Sequence, residues 1–270
     1  MCLSQQASQQ KKLPIPPAIQ KRMKSVKHSI VVMSGKGGVG KSTVAANLAL
    51  AFAKAHPGKV GIIDVDIHGP DIPKILGLED KAPIMTEGGE SIPVTGPYGL
   101  KVLSMAFFLK VDTPVIWRGP MKMKAIEQFL GDFEWGELDV LIFDLPPGTG
   151  DEPLSLMQLI PKITGVIIVT TPQAVSLLDT GKALQMANQL GIPVLGVIEN
   201  MSAFVCPSCR TVHKLFGEGG GEQLATKFGV PLLGELPLDP QIREKEDEGI
   251  AEAFEHFNSI LEKLEKVMEK

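Results

Sequence analysis

The sequence predicts an α/β protein built on a doubly wound, mostly parallel sheet flanked by helices. Three observations lead there. Short β-rich apolar runs recur along the chain at intervals filled by helical patterns. Several of those runs are apolar on both faces, as strands covered by helices on each side must be. A glycine-rich stretch, SGKGGVGKST, ends the first run and opens the first helix, the strand-loop-helix setting of a phosphate-binding P-loop.

Taken in order, residues 1 to 25 are expected to form a flexible arm, since residues 1 to 20 are rich in Gln, Lys and Pro. Residues 26 to 270 are expected to form a single domain carrying a short metal-binding insertion at 201 to 216. Strands are expected at SIVVM (from 29), VGIID (60), LKVLSM (100), DVLIFD (139), GVIIVT (165), PVLGVIE (193) and PLLGEL (231). Helices are expected at STVAANLALAFAKA, MKAIEQFLGDF, AVSLLDTGKALQMANQLG and GGEQLATKFG. Residues 82 to 98, with their prolines and glycines, read as a hairpin or loop insertion beside the sheet. In the tail, Ile250, Phe254, Phe257, Leu261, Leu264 and Met268 recur at helical steps and predict one last helix. Its stripe suits core packing, because a membrane-surface helix would want a basic polar face, and this one is acidic.

Composition narrows the function classes. With 44% hydrophobic and 21% charged residues the chain is an ordinary globular one, which argues against disorder and against a membrane class. A net charge of −4 argues against a large nucleic-acid footprint. Cys2, Cys206 and Cys209 are too few and too unevenly spaced for a disulfide framework, so a reducing, cytoplasmic setting is expected. No signal peptide and no apolar stretch of membrane-spanning length is legible.

The P-loop carries the first chemistry. Gly35, Gly40, Lys41 and Ser42 satisfy G-x-x-x-x-G-K-[ST], and backbone N–H groups from Gly35 through Lys36, Gly37, Gly38, Val39 and on to Thr43 are expected to wrap the phosphates of ATP. Lys41 reaches the terminal phosphates and Ser42 ligates Mg²⁺. DVDIHGPD places Asp64 and Asp66 at a carboxyl end of the sheet, with Asp66 expected to position the attacking water and Asp64 to lie near Mg²⁺. In LIFDLPPGTGD, Asp144 reads as a Walker B carboxylate that holds Mg²⁺ through its water shell, and the following Pro-Pro-Gly-Thr-Gly as a switch loop. Asn200 and Asp239 are candidates for contacting the base, although Asp239 could equally cap a turn or helix beginning at Pro240. No N-K-x-D motif occurs, which favours ATP over GTP.

The second chemistry is the C-x-x-C pair, Cys206 and Cys209. Thiolates at this spacing reach one soft metal, zinc or an iron–sulfur cluster. Two ligands leave such a site half built. His213 could add a third within the chain, and Cys2 a further one. A two-fold homodimer would complete a Cys₄ set by bringing two pairs to its axis.

Lys36, a second lysine one residue into the loop, makes SGKGGVGKST resemble the deviant Walker A ATPases, among them MinD, ParA partition proteins and nitrogenase iron protein. That resemblance implies that Lys36 reaches across a dimer interface to the other subunit's nucleotide and, with Lys41 and Asp66, takes part in hydrolysis. From about residue 28 onward the chain resembles the Mrp/ApbC family of iron–sulfur cluster carrier ATPases, through SGKGGVGKST, DVDIHGPDIPKILG, VIWRGPM, DLPPGTGD, ENMSAFVCPSC and PLDPQIR in family order. The resemblance implies a homodimer holding a labile [4Fe–4S] cluster between subunits and passing it to apoproteins, with ATP hydrolysis supporting the transfer. Eukaryotic relatives in the scaffold branch carry an N-terminal four-cysteine site, whereas here only Cys2 lies in that region. A positioning ATPase of the MinD/ParA type would need a membrane- or DNA-binding feature that the sequence lacks. A structural zinc at the dimer axis would use the same thiols, and zinc could also load them in an aerobic preparation.

Overall fold

The computed structural model describes residues 14–66, 69–87, 90–108 and 119–269. The first elements are α1 (Pro17–Met23), β1 (Val26–Ser34), α2 (Lys41–Ala55), β2 (Val60–Asp64), α3 (Ile72–Ile75), β3 (Ile84–Met85), β4 (Ser91–Ile92), β5 (Val94–Thr95), β6 (Lys101–Ser104) and α4 (Gly119–Gly131). Then come β7 (Leu138–Asp144), α5 (Asp151–Leu159), β8 (Gly165–Thr170), α6 (Ala174–Gln189), β9 (Val194–Glu199), β10 (Phe204–Val205), β11 (Val212–His213), α7 (Gly220–Phe228), β12 (Leu232–Glu235), α8 (Pro240–Asp247) and α9 (Asn258–Met268).

One sheet of 8 strands runs in the order β12-β9-β8-β1-β7-β2-β6-β5. All its pairings are parallel except the edge strand β5, which runs against β6. The order reverses at β1, which has β7 on one side and β8 on the other. In such sheets ligand sites form beyond the carboxyl ends of the strands at this reversal, and β1 delivers the P-loop there.

The strands are buried on both faces, so their side chains divide by period two between two cores. Ile30 and Val32 join the cluster under α2 and α9, with Phe52, Phe257 and Leu264. Val31 and Met33 join the opposite cluster beneath α1, α4, α5, α6 and α7, with Phe129, Trp135 and Leu184. Trp135 is fully buried, and its indole N–H donates to the Phe129 carbonyl at 3.0 Å, so the ring enters the core without an orphaned donor.

Each of the seven expected strands and four expected helices is present. Two expectations need correcting. The arm expected over residues 1 to 25 contains α1, whose Ile19 and Met23 are buried against α4; two apolar side chains one helical turn apart were enough to dock it. Cys2 lies outside the described residues. The tail does not form one helix from Ile250: α9 starts at Asn258, and Ile250 is exposed, while Ile260, absent from the expected stripe, is buried. Residues 82 to 98 include the small β3–β4 hairpin, which leaves Ile84 and Met85 exposed. Among the described residues no helix is long and apolar enough to cross a membrane.

Candidate functional site

At the end of β1, Ser34 is fully buried and its carbonyl accepts Gly148 N–H at 2.9 Å, which ties the start of the P-loop to the loop after β7. Its hydroxyl donates to Lys36 O at 2.9 Å. Gly35 passes so close to α6 that a Cβ there would lie 2.2 Å from the Asp179 carbonyl carbon, so no larger residue fits. Gly40 has φ +78°, a left-handed conformation that glycine adopts without strain. It also backs onto Asn200, whose Nδ2 would sit 2.2 Å from an added Cβ. The loop then enters α2, whose first residues are Lys41, Ser42 and Thr43.

The charged centre is built on Asp144. The register sets Asp64 of β2 opposite Asp144 of β7, so both carboxylates leave the sheet side by side. Lys41 Nζ donates to Asp144 Oδ1 at 2.7 Å, and Ser42 Oγ donates to Oδ2 at 2.7 Å. Asp66 Oδ2 lies 3.9 Å from the same ammonium. Burial raises the affinity of Asp144 for a proton, and Lys41 opposes this by charge and hydrogen bond. Asp64 is held well above the usual carboxylate range, first by burial and then by the charge of Asp144, with Ser104 and Lys41 pulling the other way. Of the two, Asp64 is the one that holds a proton more readily, since Lys41 bonds Asp144 directly.

The sequence-expected residues divide in two groups. Lys41, Ser42, Asp66 and Asp144 converge on one point at the carboxyl end of the sheet. Asp64, expected near Mg²⁺, is fully buried and accepts from Ser104 Oγ at 2.9 Å, Asp66 N–H at 3.1 Å and Ile72 N–H at 3.3 Å. It therefore braces the loop that presents Asp66. Lys36, expected to reach across an interface, donates to Gln173 Oε1 of its own chain at 3.2 Å, at the start of α6. Asn200, expected at the base, is buried and donates to Val39 O at 2.9 Å. Asp239 caps α8 by accepting Gln241 N–H at 2.9 Å, the capping reading of that residue.

Sequence reasoning missed Glu246. On α8 it accepts from Thr43 Oγ1 at 3.1 Å and from Asn47 Nδ2 at 2.9 Å, clamping α8 to the P-loop helix. Burial raises its proton affinity, and those two donors partly offset the effect. Its surroundings, REKEDEG, look like a solvated acidic run, and nothing local distinguishes it.

The cysteine pair sits apart on the β10–β11 hairpin, where Phe204 pairs with His213 and Val205 with Val212. Cys206 N–H donates to Thr211 O and Arg210 N–H to Cys206 O, each at 2.9 Å, closing the turn that carries both thiols. Cys209 is exposed and Cys206 half-buried. The Thr211 hydroxyl lies 3.2 Å from Cys209 Sγ, and that group, then the Thr211 backbone and the Cys206 thiol, lower the Cys209 pKa. His213 faces the Phe204 ring at 6.3 Å between centroids. Among the described residues no group of three or more His, Cys, Asp or Glu side chains is disposed to hold a metal.

A parallel sheet with a P-loop at its switch point and a Walker B carboxylate on the neighbouring strand defines a P-loop NTPase of the MinD/ParA type. Residues 25–270 match a family model described as "ParA: NUBPL iron-transfer P-loop NTPase", and the chain belongs to that family. It is 52% identical over 257 residues to an iron–sulfur cluster carrier protein of Methanocaldococcus jannaschii, covering 92% of this chain and 88% of that one. It is 43% identical over 242 residues, 90% of this chain and 76% of the relative, to an Arabidopsis thaliana mitochondrial iron–sulfur protein required for NADH dehydrogenase. Among solved structures, a nucleotide-binding protein of Archaeoglobus fulgidus, in complex with ADP and with cobalt found in it, superposes with TM-score 0.78 at 41% identity, covering 89% of this chain and 94% of that one. The cell division ATPase MinD of Pyrococcus furiosus superposes with TM-score 0.60 at 25% identity, covering 89% and 99%.

Proposed function

We propose that this protein is an ATP-dependent iron–sulfur cluster carrier that works as a homodimer, holds a [4Fe–4S] cluster between Cys206 and Cys209 of both subunits, and passes it to apoproteins. The observation that carries this reading is the incomplete thiol pair, displayed at the surface with no further ligand beside it among the described residues. A cubane cluster usually takes four cysteines, and a second copy supplies the missing two about a two-fold axis. The names of the relatives support the same cargo.

ATP is the second substrate, bound by the loop from Gly35 to Thr43. Ser42 and Asp144 offer hard oxygen donors that suit Mg²⁺, which would neutralise phosphate charge when bound there. Lys41 places positive charge against the terminal phosphates, Lys36 leaves Gln173 for the nucleotide of the second subunit, and Asp66, braced by Asp64, orients the attacking water. Hydrolysis then shifts the dimer between states that hold and release the cluster.

A second reading has the four thiolates take a single tetrahedral ion such as Zn²⁺, which the same ligands would suit, and a transition metal, cobalt, was found in the Archaeoglobus relative. Anaerobic reconstitution with iron and sulfide, followed by metal analysis, absorption spectroscopy and light scattering, separates the two. The cluster reading expects about four iron per dimer and transfer of that iron to an apo-ferredoxin. A loaded protein that stays monomeric, or iron uptake unchanged when both cysteines are alanine, removes it.

A further inference from the structure

The cysteine hairpin leaves the sheet immediately after β9, and of the four residues at that exit three are hydrogen-bonded to other parts of the chain. Glu199, the last residue of β9, is buried, and its carboxylate accepts the N–H groups of Gly221 and Gly220 at the start of α7, where the chain returns from the hairpin. Glu199 therefore clasps the two ends of the segment that carries the thiols. Asn200 donates its side-chain N–H to Val39 O in the P-loop at 2.9 Å, and its own backbone N–H to Thr170 O at 2.8 Å. Met201 follows with φ +57°, a left-handed conformation that is strained for a residue with a Cβ. Ser202 is anchored to Leu236 O through both its N–H, at 2.9 Å, and its hydroxyl, at 3.0 Å.

The Val39 carbonyl belongs to the same peptide unit as the Gly40 N–H. A trans peptide is planar and sets its C=O and N–H in opposite directions, and no cis peptide bond occurs among the described residues. The bond from Asn200 to Val39 O consequently aims the Gly40 N–H, one of the loop's candidate phosphate donors, away from Asn200. Any tilt of that peptide on nucleotide binding displaces the acceptor of Asn200. Asn200 is covalently joined to the residue that clasps the hairpin.

We propose that Asn200 and Glu199 are positioning residues that form a linkage within one chain, by which filling of the P-loop alters the accessibility of the Cys206 and Cys209 thiols. The inference rests on the reading of those thiols as the cargo site, yet it is read without any cargo. It places nucleotide control of the thiols inside each subunit, ahead of any rearrangement between subunits. The linkage is reciprocal between binding equilibria, so metal bound at the thiols changes nucleotide affinity by the factor by which nucleotide changes metal affinity.

The test is the labelling rate of the thiols by a disulfide reagent in the full-length apoprotein, with Cys2→Ser removing the third thiol. Rates are measured without nucleotide, with Mg·ADP and with a non-hydrolysable ATP analogue. Saturating nucleotide is expected to change the rate by about fivefold or more, the lower end of common site-to-site couplings. Glu199→Ala, which touches no P-loop atom, is expected to keep nucleotide affinity and lose the rate change. Asn200→Ala is expected to lose the rate change and also to bind nucleotide more weakly. A Glu199→Ala protein that binds nucleotide and still shows the full rate change overturns the linkage, as would happen if pairing of subunits alone shielded the thiols. A wild-type rate indifferent to nucleotide overturns it as well. Because the readout needs no iron, a chain that fails to take up a cluster but shows this pattern refutes the carrier reading and leaves the linkage standing.

Discussion

The two halves of the chemistry are built in opposite ways. Around the P-loop, Lys41, Asp64 and Asp144 are buried and each finds its partners inside the same chain, so the charged centre is assembled before any ligand arrives. The cysteine hairpin has only two residues in each strand, and Val205, Val212 and Cys209 face solvent. A buried charged group must be paired where it stands, because an unpaired one costs several kcal/mol. An exposed thiol carries no such obligation. The first site is therefore finished by its own fold, and the second is left open to be finished by something else.

Experiment can press on this contrast from both sides. The largest effect expected is at the thiols: Cys206→Ala and Cys209→Ala should each abolish stable iron uptake in anaerobic reconstitution. The same variants should leave the unfolding free energy of the apoprotein in urea within about 0.5 kcal/mol of wild type, as substitutions at surface positions outside a packed core do. A large loss of apoprotein stability would mean that the hairpin is part of the core after all.

Lys41→Ala should act on both counts at once. ATP hydrolysis should fall by about a hundredfold or more, since a charge aimed at the transferring phosphoryl group is gone. Stability should fall by about 3 kcal/mol, because Asp144 is left buried without its cation. A Lys41→Ala protein as stable as wild type would show that Asp144 simply takes up a proton.

Glu246→Ala is expected to cost about 1–2 kcal/mol in chemical denaturation, leaving the donors of Thr43 and Asn47 without their acceptor. Nucleotide affinity should weaken with it if the α8 clamp holds the P-loop helix in register. Equal stability of variant and wild type would assign the clamp no role.

The smallest effect is in pH dependence. Burial and the charge of Asp144 raise the pKa of Asp64 in the fold above its unfolded value of 3.8, so the native state binds that proton more tightly than the unfolded chain does. Its contribution is fully present below the unfolded value and is lost as pH rises through the folded one. Asp64→Asn should therefore gain stability relative to wild type as pH is raised from about 4 to about 8, followed by urea unfolding at each pH. A constant difference across that range would show that Asp64 binds its proton no more tightly in the fold than in the unfolded chain.

Much of the architecture is legible in the order of residues alone. The seven strands announce themselves because a strand covered on both faces must be apolar throughout, and the P-loop because its glycines and lysine act through backbone geometry local to ten residues. Short docked segments are less legible. The helix at Pro17–Met23 rests on two buried side chains, and its composition resembles that of an arm. In the tail, a stripe of helical periodicity continues through Ile250 and Phe254, which lie in a loop, and reaches the 3₁₀ turn Glu255–Phe257 before Asn258, since periodicity records which side chains are apolar and not whether the backbone between them is helical.

Local patterning along the chain suffices for the fold class, the phosphate loop, the aspartate at the end of β7 and the pairing of two thiols in one turn, all of them features of a single element or turn. Which groups meet is a matter of three dimensions. Folding brings Lys41 to Asp144 across 103 residues, Asn200 to Val39 across 161 and Glu246 to Thr43 across 203. It also makes Asp64 a brace and Asp239 a cap, and turns Lys36 toward Gln173. The cause of this division is that local patterning reflects what each residue needs, burial or solvent, turn or helix. Which buried donor satisfies which acceptor is settled only when the sheet order sets distant strand ends side by side.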